Sequence, residues 1–411
     1  MTVIVTSVLV TGTAHADFKT YVFAKSVAAN GEFVAVGELF VKRNQRYLYL
    51  FRHDKGEHEF VRLIKPPYGQ ASDDFGQSML MDDSLFIIGD NDVTVGPISD
   101  AGAVYVYKSR SLALPNERPP FLTGARSQEY SSFGAPVCRR GDMLAVGAST
   151  HEFGKVTIVQ KQKDRWKRRQ TLTSGLPEDI LVAGTQMFGK SIALDDSTLV
   201  VGAPFTSLGG VKTGAAFAFA KRKDGTFAEF PTLLSPGKDS GARDFGCAVA
   251  LRSNFRGRDD VIVVGAEFTT FDNKKEAGAA YVFVRNKKGE FPNRPTARLV
   301  AQDAKAEDIY GARVAFWHDW LLISAPERND GTGAIYFYEQ GDDASKWNRV
   351  AILEGSGPRS EFGWYFSTTG RMIYVAESYI TAKKEGVVQV FVLNADRTFR
   401  RLKPIVRPTP K

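Results

Sequence analysis

The chain has 411 residues, of which 43% are hydrophobic, 12% aromatic and 24% charged, a balance that excludes a disordered or low-complexity chain; its 38 glycines suit many tight turns. A formal charge of +8 is modest over this length, so attraction to nucleic acid, acidic polysaccharide or anionic membrane is permitted without being required. Two cysteines exclude a disulfide-rich scaffold; Cys138 and Cys247 sit at different offsets of non-neighbouring repeats and are expected as free thiols.

Taken in order, residues 1–16 (MTVIVTSVLVTGTAHA) combine a short apolar run from Val3 to Val10 with an A-x-A pattern at Ala14 and Ala16, just before Asp17. This reads as a secretory signal, which would place the remainder outside the cell or on its surface. No Lys or Arg precedes the run, and Val3, Val5 and Val8 are strand formers, so an extra β-strand is the alternative. No other run approaches the ~20 apolar residues of a membrane-spanning helix.

Residues 17–411 read as one unit built from repeats. The clearest copy runs from Phe188 to Arg222: a strand opened by Phe-Gly, a polar turn at Asp195-Asp196-Ser197, a second strand ending in Gly-Ala-Pro, a loop, and a third strand of alternating small and aromatic residues. Phe-Gly or its equivalent recurs at Phe75, Phe133, Phe188, Phe245, Tyr310 and Phe362, with a degenerate copy at Phe23-Ala24. Each is followed by an apolar second strand such as MLAVGA from Met143 or VIVVGA from Val261, and then by a third such as GAVYVY from Gly102 or GAIYFY from Gly333. More polar fourth strands come next, among them RWKRRQTL from Arg165, FAEFPTLL from Phe227 and TFRRLKPIV from Thr398. Seven copies, each giving four antiparallel strands, predict an all-β seven-bladed propeller whose first strands crowd the axis and therefore carry small residues such as Ser78, Ser191, Ala248 and Ala312. Each blade is complete in sequence, so closure needs no exchanged strand, and the degenerate first copy makes the seam between the first and last blades the expected weak point.

Phe-Gly, V-G-A-P and G-A-x-Y-V-Y in register resemble the FG-GAP repeats of the integrin α-subunit head and related secreted or bacterial proteins. The resemblance covers nearly the whole chain and implies a propeller used for extracellular recognition or adhesion. Many such repeats hold Ca²⁺ through D-x-D-x-D-G between the first two strands. Here the turns, such as Asp82-Asp83-Ser84 and Arg140-Gly141-Asp142, are too short, and the longer one from Arg252 to Asp260 carries three arginines; the chain resembles the calcium-free variant. No metal and no cofactor are expected.

Arg140-Gly141-Asp142 spells an adhesive tripeptide, although Gly between polar residues is ordinary turn chemistry. No H-x-x-x-H, C-x-x-C or G-x-S-x-G order points to zinc or to a nucleophile elbow, so no catalytic residue is assigned. Alternation of turns in an antiparallel meander sorts the connections onto two ends. One end gathers an acidic and aromatic set expected to bind a glycan or protein partner: Asp74, Asp92, Phe205, Asp244, Phe268, Phe271, Asp308, Glu361 and Tyr379. The competing reading of the acids is that each ties down its own turn. The opposite end gathers Arg140, Lys163, Lys167, Arg168, Arg169, Lys221 and Arg222, a candidate polyanion surface or a solubilising one. A third reading is an enzyme at the channel mouth acting on polysaccharide, with Asp74, Asp244 and Glu361 as its acids. The expected molecule is therefore bipolar, acidic at one end and basic at the other, and most simply a non-enzymatic binding module.

Overall fold

The computed structural model describes residues 22–40, 45–67, 74–113, 119, 121–123, 132–150, 153–163, 165–176, 186–208, 210–237, 240–257, 259–379 and 385–409. Segment 1–16, with its signal or strand reading, lies outside the described residues. The chain forms seven antiparallel sheets in sequence order, each with its strands in the order first, second, third, fourth. They occupy residues 22–64, 78–123, 133–172, 191–234, 249–299, 314–354 and 366–406, and we number these blades 1 to 7. First strands of successive blades touch one another around the axis, as Phe133–Arg140 does with Ser191–Leu194, and the first strand of blade 1 (Val22–Ala29) also meets that of blade 7 (Phe366–Thr369). This is the predicted seven-bladed propeller, and among the described residues no strand is exchanged between its first and last blades.

The packing explains the repeat. Second strands such as Leu85–Asp90, Met143–Ala148 and Thr198–Ala203 are buried on both faces because each blade is sandwiched between two others, so they read as unbroken apolar runs. The core divides into seven hydrophobic clusters, and each draws on two adjacent blades. The ring of each motif aromatic lies under the third strand of its own blade: Phe188 against Phe217 at 5.4 Å, Tyr310 against Tyr336 at 5.3 Å, Phe23 against Tyr49 at 5.5 Å. Its backbone, by contrast, belongs to the blade before. A Cβ at Gly154, Gly214, Gly278 or Gly333, each opening a third strand, would lie 2.1–2.2 Å from the carbonyl oxygen of Phe188, Phe245, Tyr310 or Phe362 in the next blade. Only hydrogen fits there, so the glycines of the second motif exist for the aromatic of the next copy. The same contact closes the ring, because a Cβ at Gly386 of blade 7 would sit 2.0 Å from the Phe23 oxygen of blade 1.

The hairpin tips satisfy their own backbone. Asp82, Asp195 and Asn30 each accept from two main-chain N–H groups two and three residues on, at 2.6–2.9 Å, which is why these turns begin with Asp or Asn. In the longer turn before Asp260, that residue accepts from Asn254 N and pairs with Arg285 at 2.8 Å, while Asp259 accepts from Gln340; its carboxylates serve the fold.

Two fourth strands differ from expectation. In blade 4 pairing is interrupted: Phe227 bridges Lys221 and Ala228 N donates to the Ala220 carbonyl at 2.9 Å, Pro231 then has no N–H to give, and the ladder resumes at Thr232–Leu234 with Phe230 left 84% exposed. In blade 7 the run is split into Phe399–Arg401 and Ile405–Val406, both paired with the third strand Val387–Leu393. The second piece carries Ile405 into the cluster shared with blade 1 and aims Arg407 at the buried Glu38 of blade 1, which also accepts from Tyr49 at 2.7 Å. The closing seam thus has a clasp of its own.

Gly278→Ala should destabilise the protein by more than about 3 kcal/mol in urea unfolding, since the new methyl meets the backbone of Tyr310. Gly289 has the same sign of φ but open space around it, so Gly289→Ala should cost only about 1 kcal/mol of backbone strain. Equal costs for the two would show that strain, and not the blade-to-blade contact, is what these glycines relieve.

Candidate functional site

The register that seats each Phe-Gly also fixes where the next side chain stands. The residue after the glycine, near the axis where the blades converge, differs from copy to copy: Lys25 (after Ala24) in blade 1, Gln77, Ala135, Lys190 and Trp364 in blades 2, 3, 4 and 7 keep some exposure, whereas the partly buried Cys247 of blade 5 packs against the core and Ala312 of blade 6 is fully buried. The residues just past the second strands, Glu267 in blade 5 and Glu327 in blade 6, reach the same place. From blade 1 round to blade 4 they form a connected arc. Lys25 lies 3.9 Å from Glu361; Glu361 faces Glu327, which hydrogen-bonds Trp364. Arg313 of blade 6 lies over the rings of Trp364 and Tyr365 at 5.9 and 5.6 Å, and its charge also acts on Glu267, which Asp244 and Lys190 flank.

Two carboxyls in this arc are poised near neutrality. Burial lifts Asp244 to about 6 against the opposing pull of Arg243, with Glu276 adding to the lift. Burial lifts Glu267 to about 7, with Asp244 pushing it further up and Arg313 and Lys190 opposing. The Glu267 Oε2 is sealed from solvent and has no hydrogen-bond partner among the described residues. Cys247, beside them, has its thiol pushed well up by burial, and Cys138 is likewise held as a thiol, so neither is a nucleophile at neutral pH. Among the described residues no group of His, Cys, Asp and Glu is arranged to hold a metal ion.

The residues expected at this end from the sequence fall into four groups. Asp244 and Glu361 are in the arc, Glu361 also accepting from Ser378 at 2.6 Å. Asp74 accepts from Asn91 at 2.6 Å, and its carbonyl from Gln77 N, so it ties its own turn; Asp92 lies just past the second strand of blade 2. Phe205 is 49% exposed on the connection that also lines a cavity of about 420 Å³ between blades 4 and 5, bounded by Leu208, Val211, Leu233 and Arg294. Phe268 and Phe271 are partly covered by Arg243 at 5.9 Å and Arg298 at 5.1 Å. Asp308 and Tyr379, each 3% exposed, turn inward. Asp308 accepts from Lys305 N at 2.7 Å, and the Tyr379 hydroxyl meets Ser356 Oγ at 2.7 Å beside the fully buried Glu377, so both brace loops from within and stay out of the arc.

The opposite end is basic mainly in blades 3 and 4. Arg169, Lys221, Lys161 and Lys223 line a cleft of about 340 Å³ with Asp224, where Arg169 donates to the Asp224 carbonyl. Lys163, Lys167, Arg168 and Arg222 are exposed around it. Arg140 is engaged instead, gripping Asp196 through Nε at 3.0 Å and Nη2 at 2.6 Å, which takes the arginine of the Arg140-Gly141-Asp142 turn into a blade-to-blade ion pair. Neither end has one sign of charge: Arg328 pairs with Asp303 and Glu354 at the first, and Arg139 with Asp82 at the second. The expected bipolarity is broken because seams are stitched by local ion pairs of both signs.

Glu267, Arg313, Lys190, Trp364 and Tyr365 do not stand out in the sequence. A signal is present there all the same, since the position after each Phe-Gly and the residue after V-G-A vary between copies whose other positions repeat.

Fold and mouth together define a seven-bladed propeller with a chemically varied axial opening at its loop end. The FG-GAP repeat pattern matches residues 182–219 and 294–338, and the chain is a propeller carrying FG-GAP repeats. No curated protein matches the chain. Similar solved structures include a protein from Lactobacillus plantarum (10% identity, 78% of this chain and 82% of that one, TM-score 0.46). Two others are described as putative 6-phosphogluconolactonases: one from Bacteroides uniformis (11% identity, 79% and 83% covered, TM-score 0.48) and one from Bacteroides fragilis (12% identity, 96% of both chains, TM-score 0.50). At these identities the likeness concerns the fold alone.

Because the folded-state value of Glu267 is raised, its contribution is fully present below the unfolded value near 4.5 and is lost as pH rises through about 7. Glu267→Gln, which keeps the neutral shape, should therefore gain on the parent protein between pH 5 and 8, by on the order of 2 kcal/mol at the upper end. Thermal melts across that range check this, and a difference independent of pH would remove Glu267 from the set of buried titrating groups.

Proposed function

We propose that the chain is a binding module, acting outside the cell, that takes a glycan at the axial mouth of its loop end. The observation that carries this reading is the arc of Lys25, Glu361, Trp364, Arg313, Glu267, Asp244 and Lys190. Ring closure does not demand it, since blades 2 and 3 also complete their core clusters with Gln77 and Ala135 at the matching positions. Carboxylates accept hydroxyl hydrogen bonds, an indole face stacks on a sugar ring, and neighbouring cations orient acidic substituents; a mixed set of this kind on rigid strands is suited to recognition. The A-x-A pattern before Asp17 supports the extracellular setting. A protein partner at the same face is the other ligand class that this chemistry admits.

A glycan array on the purified chain should return a bound class, and Trp364→Ala should weaken it at least tenfold, as loss of a central aromatic anchor does, with the melting temperature changed by no more than a few degrees. Blank results on the array and in a pull-down from extracellular material would sink the reading. The cleft lined by Lys161, Arg169, Lys221 and Lys223 favours a second one, polyanion binding at the opposite end. Heparin retention should then fall steeply with salt and drop in Lys221→Ala/Lys223→Ala; retention unchanged by that pair would discard it.

A further inference from the structure

A second concave site lies where the ring closes. A cavity of about 420 Å³ is bounded by residues of blades 1 and 7 alone, among them His53 and Lys55 on one side and Arg371 and Arg400 on the other, over a floor that includes Met372 and Leu402. No carboxylate lines it. Of the acids on the neighbouring hairpins, Glu32 pairs with Arg52 at 3.4 Å, Glu57 with Lys403 at 3.5 Å, and Asp396 accepts from Thr398 N and Oγ1, while Asp54 stands next to Lys55 in sequence but outside the lining. Among the described residues Lys55 and Arg400 enter no ion pair, and Arg371 uses its Nε on the Leu393 carbonyl at 2.7 Å, which fixes the guanidinium in place. The wall is held from behind: Trp317 and His318 of blade 6 hydrogen-bond the Gly370 carbonyl at 3.1 and 2.7 Å. The His53 ring lies tilted against His58 with centroids 4.8 Å apart, and its Nδ1 is sealed from solvent without a hydrogen-bond partner among the described residues.

Like charges that face one cavity with no carboxylate in its lining repel, and here they come from the two blades that share the closing seam. An anion between them turns that repulsion into a bridge, while the floor of Met372, Val392 and Leu402 accepts an apolar body. We propose that this cavity binds a small organic anion, a carboxylate or phosphate on an apolar body, between Lys55 of blade 1 and Arg371 and Arg400 of blade 7, and that its binding clamps the ring shut. This differs from the axial mouth and from the cleft between blades 3 and 4 in place, in size of ligand and in consequence. The clamp acts by mass action, since an opened seam separates the cations and loses the ligand.

Phenyl phosphate is the probe, with inorganic phosphate and phenol as its two halves. Calorimetry should give one saturable phenyl phosphate site on the intact chain, at least tenfold tighter than either half. Binding should raise the melting temperature and slow amide exchange in Val22–Ala29 and Val387–Leu393 more than in blades 4 and 5. Lys55→Ala/Arg400→Ala, both at exposed side chains, should fold normally and lose the tight binding, whereas Lys221→Ala/Lys223→Ala should keep it. Absence of a saturable site, or tight binding retained by the seam double variant, overturns the proposal. Inorganic phosphate binding as tightly as phenyl phosphate overturns the amphipathic class of ligand, and binding without added protection of the seam overturns the clamp.

Discussion

Everything in this molecule depends on a contact between two pieces of backbone. The glycine that opens a third strand lies against the carbonyl of the aromatic that opens the next blade, so close that even a methyl group would overlap it by more than an ångström. The aromatic is therefore held twice, its main chain by the preceding blade and its ring by its own. Six seams show the glycine half of this arrangement, from Gly102 against Phe133 to Gly386 against Phe23. A blade alone could not bury its faces; the contact sets the spacing at which seven separate clusters can each be completed by a neighbour.

That constraint also organises the opening at the axis. Once Phe-Gly is seated, the next side chain stands near the axis, and in most copies it keeps some exposure, while Cys247 packs against the core and Ala312 is fully buried. Lys25, Gln77, Ala135, Lys190 and Trp364 are consequently as different as the scaffold positions around them are alike. Charge is concentrated there by the same geometry, and the partial exclusion of water lifts Asp244 and Glu267 toward neutral pH without any dedicated device. Function is a matter of what is placed on this frame, and propellers of similar shape do unrelated things.

The architecture was legible in the sequence because each blade writes it locally: V-G-A runs for doubly covered strands, Asp or Asn at turn starts, Phe-Gly for the seams. The mouth was only half legible. Asp244 and Glu361 stand beside Phe-Gly and are visible with the motif, but Glu267 and Arg313 come together only because blades 5 and 6 are neighbours in space, and burial, which moves the Glu267 proton, has no mark in the sequence. Asp308 and Tyr379 were misleading for a related reason: polar and aromatic residues in a loop look exposed until Lys305 N and Ser356 Oγ are found bonded to them from inside. The clasp of Arg407 on Glu38 joins residues 369 positions apart, beyond the reach of any local pattern.

The split fourth strand of blade 7 bears on how the molecule assembles. Until blade 7 arrives, the face of blade 1 bearing Phe23, Val27 and Tyr49 has no partner, because the other half of that cluster, Tyr374, Ala376, Val388, Val390 and last of all Ile405, stands at the far end of the array. Every other seam is completed by the next few dozen residues, whereas this one waits for the whole chain. Two incomplete rings at high concentration therefore hold matching half-interfaces, and blade 7 of one copy fits blade 1 of another as well as its own. Dilution favours the closed ring, and crowded refolding favours head-to-tail chains of otherwise native blades.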